Sequence, residues 1–330
     1  MRADFEKHLA TVLLYPSRKD VWRADARYIQ ETVTSLCNEI ARFERTYLGA
    51  DRAVTQRLDK AVVQCQMDYD DIWIRDTGPI PTAEGYVKFG FNAWGGAEGL
   101  SDSWGRDATV ADSVVSLLNG KVRSCDLTLE GGNLASNGKG TVIAVKAAIA
   151  NPNRNPHKSL DEIERGLSAA LGISKLIWLD EGLRYDETGG HVDNIAAFVD
   201  ESTAFLAWTD EADDVQYEVV HKAYETLIRH GIDVVKIPLP KIFYRNEADT
   251  QGLVIRDGCK PRLQGEPIQA SYINFIFTNG GVIVPQFGDE CDGRVVEIFR
   301  NYFTNRKIIP FPAREIVLGG GGLHCITKNV

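Results

Sequence analysis

The chain has no pair of cysteines at the spacing of a metal or redox motif. Its six cysteines stand at positions 37, 65, 125, 259, 291 and 325, none in a CxxC pair, and 330 residues bury enough core to need no staples. Reduced thiols in a cytoplasmic protein are the expectation. There is no apolar run near the roughly 20 residues that a membrane-crossing helix requires. The opening Met1-Arg2-Ala3-Asp4-Phe5-Glu6-Lys7-His8 lacks the apolar centre of a secretion signal, so no membrane partner is expected. A basic stripe is also missing. The 37 Lys and Arg are outnumbered by 46 Asp and Glu, giving a net charge of −9, and nucleic acid is not an expected partner. HExxH is absent, and the glycines at 319–322 are not followed by the Lys-Ser/Thr of a phosphate loop. No metal and no cofactor are therefore expected. What remains is the composition of a soluble globular chain, 44% hydrophobic and 25% charged. Its acidity suits a cationic small molecule.

Against that background, Cys325 stands out. It ends the run Gly319-Gly320-Gly321-Gly322-Leu323-His324-Cys325. Glycines let the backbone turn sharply and approach a ligand closely, so a thiol placed there reads as a reagent more than as core filling. Three other glycine-flanked segments repeat the theme: Asp71-Ile72-Trp73-Ile74-Arg75-Asp76-Thr77-Gly78-Pro79, Glu130-Gly131-Gly132-Asn133 and Gly189-Gly190-His191-Val192-Asp193.

The chain also cycles through one unit: strand, tight turn, strand, helix, strand. The clearest copy predicts strands over 191–199 and 203–208, a helix over 213–230 and a strand over 232–237. Val215, Val219, Val220, Ala223, Leu227 and Ile228 form the helix's apolar stripe, and Gly231 stops it. Similar units are expected from Gly78, Asn133 and Tyr272, with hairpins at 83–85, 137–138 and 279–281. A fifth unit is split. Leu9 to Tyr15, Asp25 to Phe43 and Ala61 to Gln66 supply strand, helix and strand, and the missing strand is expected from Gly322 to Thr327. Ends that complete one unit imply a closed ring, because closure hides sheet edges. The polar candidates recur once per unit: 54 residues separate Asp76 from Glu130, 61 separate Glu130 from His191, and 134 separate His191 from Cys325. Each lies where one unit hands over to the next, so a ring would bring them to one central pocket. The skipped junction, 239–271, is a long polar insertion with the character of a lid.

The residue types suggest a chemistry. His191 and Asp193, two apart on an expected strand, would share a face. A carboxylate beside a histidine raises its proton affinity. Cys325 needs thiolate character, which an imidazolium or a bound cation supplies. Glu130 could orient His191. Asp76 and Asp193 would receive a planar cation with several N–H donors, such as a guanidinium. Taken singly, each has a plainer reading: Asp76 and Glu130 as turn residues, His191 with Asp193 as a surface pair, Cys325 as small core, Trp94 as core. Their joint recurrence at equivalent positions favours a site.

The segments IWIRDTGP (72–79), FNAWGG (91–96), LEGGN (129–133), GGHVDN (189–194), VIVPQFGD (282–289) and GGGGLHCIT (319–327) resemble those of agmatine deiminases, in the guanidino-group-modifying superfamily. The resemblance runs from about Phe5 to Thr327. It implies the pentein fold, a five-bladed pseudo-symmetric α/β propeller closed by its N- and C-terminal segments, as one catalytic domain over residues 1–330. It further implies Cys325 as nucleophile, His191 as general acid and base, Asp193 and Asp76 as guanidinium ligands, Glu130 behind His191, and Trp94 along the substrate's alkyl chain. The implied reaction turns agmatine into N-carbamoylputrescine and ammonia through a thiouronium on Cys325, a step toward putrescine, with a homo-oligomer suggested. Arginine or peptidylarginine deimination, amidino transfer and a silent guanidino-binding protein are the rivals. The start, Thr11-Val12-Leu13-Leu14-Tyr15-Pro16, lacks the usual tryptophan-proline, and Thr327-Lys328-Asn329-Val330 lacks the usual glutamines.

Overall fold

A computed structural model describes residues 1–96 and 100–330. The fold is mixed α/β. Four consecutive stretches share one pairing rule, in which an antiparallel hairpin is followed by a helix and a strand that returns parallel to the hairpin's second arm. They are Ile80–Thr82, Gly85–Gly90 and Val122–Thr128; Ala135–Ser136, Thr141–Val145 and Lys175–Leu179; Ala196–Phe198, Thr203–Trp208 and Asp233–Pro238; and Ile276–Thr278, Gly281–Gln286 and Lys307–Pro312. Parallel neighbours need a crossover, and the helices Val110–Leu117, Leu160–Leu171, Tyr217–Arg229 and Asp292–Tyr302 provide it.

Local chemistry sets these elements. Helix Leu160–Leu171 opens on a capping box between Ser159 and Glu162 and buries Ile163, Leu167 and Leu171, spaced four apart along one face. Helix Tyr217–Arg229 buries Val219, Val220, Ala223 and Leu227. The expected stripe was too wide: Val215 precedes the helix and Ile228 lies off its inner face, and they are 46% and 47% exposed. An aromatic cluster then joins adjacent units, with Phe205 packed edge-on against Phe299 at 5.0 Å and tilted against Phe275 at 6.1 Å.

The split unit differs from its expectation. Thr11–Leu14, Thr46–Ala50 and Val62–Gln66 run parallel, with helix Arg27–Ile40 between the first two in sequence. Thr46–Ala50 is buried along its whole length, and such a strand lacks the alternation that marks one in sequence. The C-terminal strand is Lys328–Asn329, not 322–327, and it pairs antiparallel with Thr11 and Val12. Residues 322–327 form turns instead. Among the described residues, six sheets occur and none closes on itself, and no helix is long and apolar enough to cross a membrane.

The two chain ends and the glycine-rich segment before Cys325 are tied together by Arg75, which is buried. Its backbone N–H donates to the Cys325 carbonyl at 3.1 Å, Nε to the His324 carbonyl at 3.2 Å, Nη1 to Asp4 at 3.2 Å and Nη2 to Asn329 Oδ1 at 2.8 Å. Removing the Arg75 side chain leaves the buried His324 carbonyl and Asn329 amide oxygen without this donor, at a cost of about 1–3 kcal/mol each. Arg75→Ala is therefore expected to shift the urea unfolding midpoint well downward by circular dichroism. An unchanged midpoint would show that the termini are held by other contacts.

Candidate active site

The polar candidates sit at four unit junctions. Asp76 lies on the short helix Ile74–Thr77, before Ile80–Thr82. Glu130 precedes the 3-10 turn Gly131–Asn133, and His191 precedes the 3-10 turn Val192–Asn194. Cys325 lies between Lys307–Pro312 and Lys328–Asn329. The expected strand over 191–199 is thus a tight turn followed by the short strand Ala196–Phe198. His191 and Asp193 do not share a strand face; they converge because the turn folds them toward one point. Asp186 fixes that turn, accepting from the backbone N–H of His191 at 3.0 Å and from Asn194 Nδ2 at 2.9 Å.

That point lies against Gly132. A Cβ there would stand 2.7 Å from Asp76 Oδ1, 2.8 Å from His191 Nδ1 and 3.1 Å from Asp193 Oδ2. The backbone of Gly132 thereby brings two carboxylates and an imidazole together, and its N–H donates to Asp76 Oδ1 at 2.9 Å. Cys325 Sγ lies 3.5 Å from Asp193 Oδ2. His191 Nδ1 is 3.7 Å from Asp76 and Nε2 is 3.7 Å from Glu130, distances of ion pairs and not of hydrogen bonds. Trp94 Nε1 donates to Asp76 Oδ2 at 2.9 Å. It is presented by a backbone in which Ala93 and Trp94 both take left-handed conformations, φ +52° and +57°, an arrangement that costs free energy in non-glycine residues.

Three further partners complete the site, Arg154 and Asn274 from outside every quoted motif and His324 from within GGGGLHCIT. Arg154 Nε binds both oxygens of Glu130, at 2.8 and 3.0 Å, and its Nη2 donates to the Thr188 carbonyl. Asn274 Nδ2 points at Cys325 Sγ from 3.3 Å while its Oδ1 accepts from the His324 N–H at 2.8 Å. His324 places Nδ1 2.9 Å from Asp193 and Nε2 2.9 Å from Asp4. Of the three, His324 had a signal in sequence, adjacency to the candidate nucleophile.

The groups titrate as a set. Burial opposes charge on Asp76 and lifts its pKa, and the neighbouring Asp193 adds to the lift. Burial also works against ionised Asp193 and Glu130. There it is outweighed, by the His324 hydrogen bond on Asp193 and by His191 and Arg154 on Glu130, and both stay below their ordinary values. Burial would strip the proton from His191, but Asp76 and then Glu130 outweigh it and raise the imidazole to about 9. Cys325 is pushed well above an ordinary thiol by burial and then by the charges of Asp193 and Asp76. At neutral pH the site thus holds a neutral thiol beside an imidazolium.

A narrow cleft opens onto this group, lined by Asp76, Trp94, His191 and Cys325 and walled by Val21, Trp73 and Leu100. Glu187 and Arg262 face each other at its mouth, and Arg262 also donates to the Gly319 carbonyl at 2.8 Å. Arg262 comes from the 239–271 insertion. Glu130 has no exposed surface and stands behind His191. Asp193 borders a second cavity, which it shares with His324 and Asp4.

Asp76 is the largest influence raising His191, so Asp76→Asn is expected to lower the imidazole's midpoint from about 9 toward its ordinary value. Titration of the His191 ring by nitrogen-detected NMR reads this directly. A midpoint that stays near 9 in the variant would assign the support to Glu130 instead.

The whole chain, residues 1–330, matches the family model described as Porphyromonas-type peptidyl-arginine deiminase. The agmatine deiminase of Pseudomonas aeruginosa strain LESB58 is 37% identical over 347 aligned positions, covering all of this chain and 94% of that protein. The agmatine deiminase of Stutzerimonas stutzeri is likewise 37% identical, with the same coverage. Among solved structures, the Enterococcus faecalis agmatine deiminase superposes with a TM-score of 0.95 at 31% identity, over 100% of this chain and 94% of that one. A substrate-bound serine variant of the C. jejuni agmatine deiminase gives 0.85 at 25% identity, over 99% and 94%. Likeness in fold alone extends to a Pseudomonas aeruginosa DDAH, at 0.58 and 12% identity over 98% of this chain and all of that one. With every described part of the chain, including each of the four junctions, inside that match, this protein belongs to the Porphyromonas-type peptidyl-arginine deiminase family.

Proposed function

We propose that the protein is an agmatine deiminase, hydrolysing the guanidinium of agmatine to N-carbamoylputrescine and ammonia. The observation that carries this reading is the cleft itself: a neutral thiol and an imidazolium lie beside buried carboxylates, and the arginine at the mouth is already engaged by Glu187. A flat cation completes such a site. A carboxylate-tailed substrate would have to displace Glu187 from Arg262. The agmatine deiminases of similar sequence and structure support the same substrate. The reading extends to one catalytic domain in the cytoplasm. Its five units would be arranged as blades about the cleft, with the terminal strands closing the ring, and it would work as a homo-oligomer.

In this mechanism the guanidinium lies against Asp76, with Asp193 beyond it and Trp94 along the alkyl chain. Its charge offsets the carboxylates that keep Cys325 protonated, and the thiol proton leaves to solvent as the substrate seats. The Asn274 amide, pointing at Sγ from 3.3 Å, stabilises the resulting thiolate. Sulfur adds to the guanidinium carbon. His191, charged up to about pH 9, gives its proton to the departing nitrogen, and ammonia leaves behind a thiouronium. Neutral His191 then takes a proton from water. The hydroxide adds to the same carbon, and collapse breaks the C–S bond as the hydroxyl proton passes to the departing sulfur, giving the ureido product and the Cys325 thiol.

Cys325→Ala is expected to reduce ammonia release from agmatine by at least about 10⁴-fold with the fold intact. Turnover at the parent rate would end the proposal. A panel of agmatine, arginine and a peptidyl arginine, assayed without acceptor amine, separates agmatine hydrolysis from its rivals: agmatine should lead by kcat/KM, and calorimetric binding without turnover would mark a silent receptor. Gly132→Ala tests the crowding of the three side chains. A displacement near 1 Å costs about 10²-fold, so kcat should fall by that order while the melting temperature changes little.

A further inference from the structure

The imidazole next to the nucleophile has no part in the steps above, yet it is buried with both ring nitrogens engaged. We propose that His324 is a positioning residue for the reaction: pinned by Asp4 of the N-terminal segment, it holds the Asp193 carboxylate in the orientation that receives the cation. The kinetic consequences rest on the deiminase reading; the geometric claim and its chemical test do not.

Asp193 is buried, and its two oxygens are treated differently. Oδ2 meets His324 Nδ1 at 2.9 Å and Cys325 Sγ at 3.5 Å. Oδ1 is buried with no hydrogen-bond partner among the described residues. A buried acceptor is rarely left empty without a use, and an N–H donor of a planar cation would satisfy it. The hold on one oxygen leaves the other able to accept. Asp76 lies close by and repels the same charge, so without the His324 contact Asp193 would turn away or take up a proton, and the cation would lose one of its carboxylates.

His324 is itself held at three points. Nε2 meets Asp4 Oδ2 at 2.9 Å, its backbone N–H donates to Asn274 Oδ1 at 2.8 Å, and its carbonyl accepts from Arg75 Nε at 3.2 Å. Arg75 Nη1 in turn binds the other oxygen of Asp4 at 3.2 Å. Two carboxylates facing two ring nitrogens call for an N–H on each. The chain Arg75–Asp4–His324–Asp193 therefore fixes both the tilt of the ring and the direction of its Nδ1–H. A residue serving only to tie the chain ends would need the Asp4 contact, but not the one to Asp193.

The test compares two reagents that alkylate Cys325 by displacing halide, neutral iodoacetamide and cationic 2-chloroacetamidine. Adducts at residue 325 are counted by peptide mass spectrometry in the full-length protein and in His324→Ala, His324→Asn and Asp4→Asn. In the parent the cationic reagent should react faster than the neutral one. His324→Ala should lower that preference by about tenfold or more, the range seen when an orienting partner is removed from a ligand. His324→Asn, whose amide can place an N–H where Nδ1 stands, should restore most of it, and Asp4→Asn should fall between. With agmatine, the loss should appear mainly as a raised KM. An unchanged preference in a folded His324→Ala protein would overturn the proposal. So would losses that merely follow the melting temperature with no rescue by asparagine. If His324→Ala does not fold, Asp4→Asn decides by the same ratio. A parent that alkylates as described but leaves agmatine untouched would sink the deiminase reading and leave the positioning role standing.

Discussion

Three carboxylates buried around one thiol are the constraint from which the rest follows. Charges of like sign, removed from water, raise each other's proton affinity and that of any thiol among them. Two of the three have close ionisable side-chain partners. Glu130 is bound by Arg154 and faces His191, and Asp193 is bound by His324. Asp76 has Trp94 and the Gly132 N–H as donors, neither of them charged, and remains raised. The nearest cation to Asp76, the His191 imidazolium at 3.7 Å, lies beyond hydrogen-bonding distance, and in the proposed reaction a guanidinium would donate there. Burial, and then the charges of Asp193 and Asp76, keep Cys325 protonated. In the proposed reaction, arrival of the cation would do two things at once: satisfy the carboxylates and offset the field that suppresses the thiolate. A thiol governed this way stays inert toward ordinary electrophiles until the correct charge is beside it.

Holding such a cluster together demands rigidity from several directions, because each carboxylate would lower its energy by moving away from the others. The repeated units supply this. Each donates one junction, and each junction is a short turn whose geometry is set locally, by Asp186 around His191 and by Arg75 behind Cys325. Gly132 is a position where three of the junctions meet, and a single methyl group there would crowd Asp76, His191 and Asp193. The left-handed pair Ala93-Trp94 is a local cost tolerated because it delivers an indole N–H to Asp76.

Residues whose chemistry is unusual for their surroundings were legible in the sequence. A cysteine after four glycines, a histidine after two and acids before glycines each mark a backbone that must turn tightly, and all converge here. The supporting layer was much less legible. Arg154 sits in Asn153-Arg154-Asn155 with no flanking pattern, and Asn274 lies in an apolar stretch; their roles exist only through partners 24 and 51 residues away. Strand-like alternation also misled at 191–199, where apolar and polar residues alternate across a 3-10 turn. In the C-terminal stretch the short strand begins three residues after Cys325. The glycines that position the thiol and the turns that follow them delay the pairing that a strand over 322–327 would have required.

On the proposed reading, the mouth of the cleft would decide which guanidino compound benefits from this arrangement. Val21, Trp73, Trp94 and Leu100 form an apolar wall on which an alkyl chain can lie. Four methylenes buried there would contribute about 3 kcal/mol. Beyond them stands Glu187, kept ionised against burial by Arg262 and Lys260, both from the 239–271 insertion. An α-carboxylate reaching this point meets an acid and an arginine already committed to it. To bind, it would have to leave Glu187 largely buried without its partner, and breaking such a pair costs several kcal/mol. A terminal ammonium asks for no exchange, because Glu187 can accept from it while keeping Arg262. On the proposed reading, the insertion would discriminate by charge through a contact it already makes, Arg262 and Lys260 on Glu187.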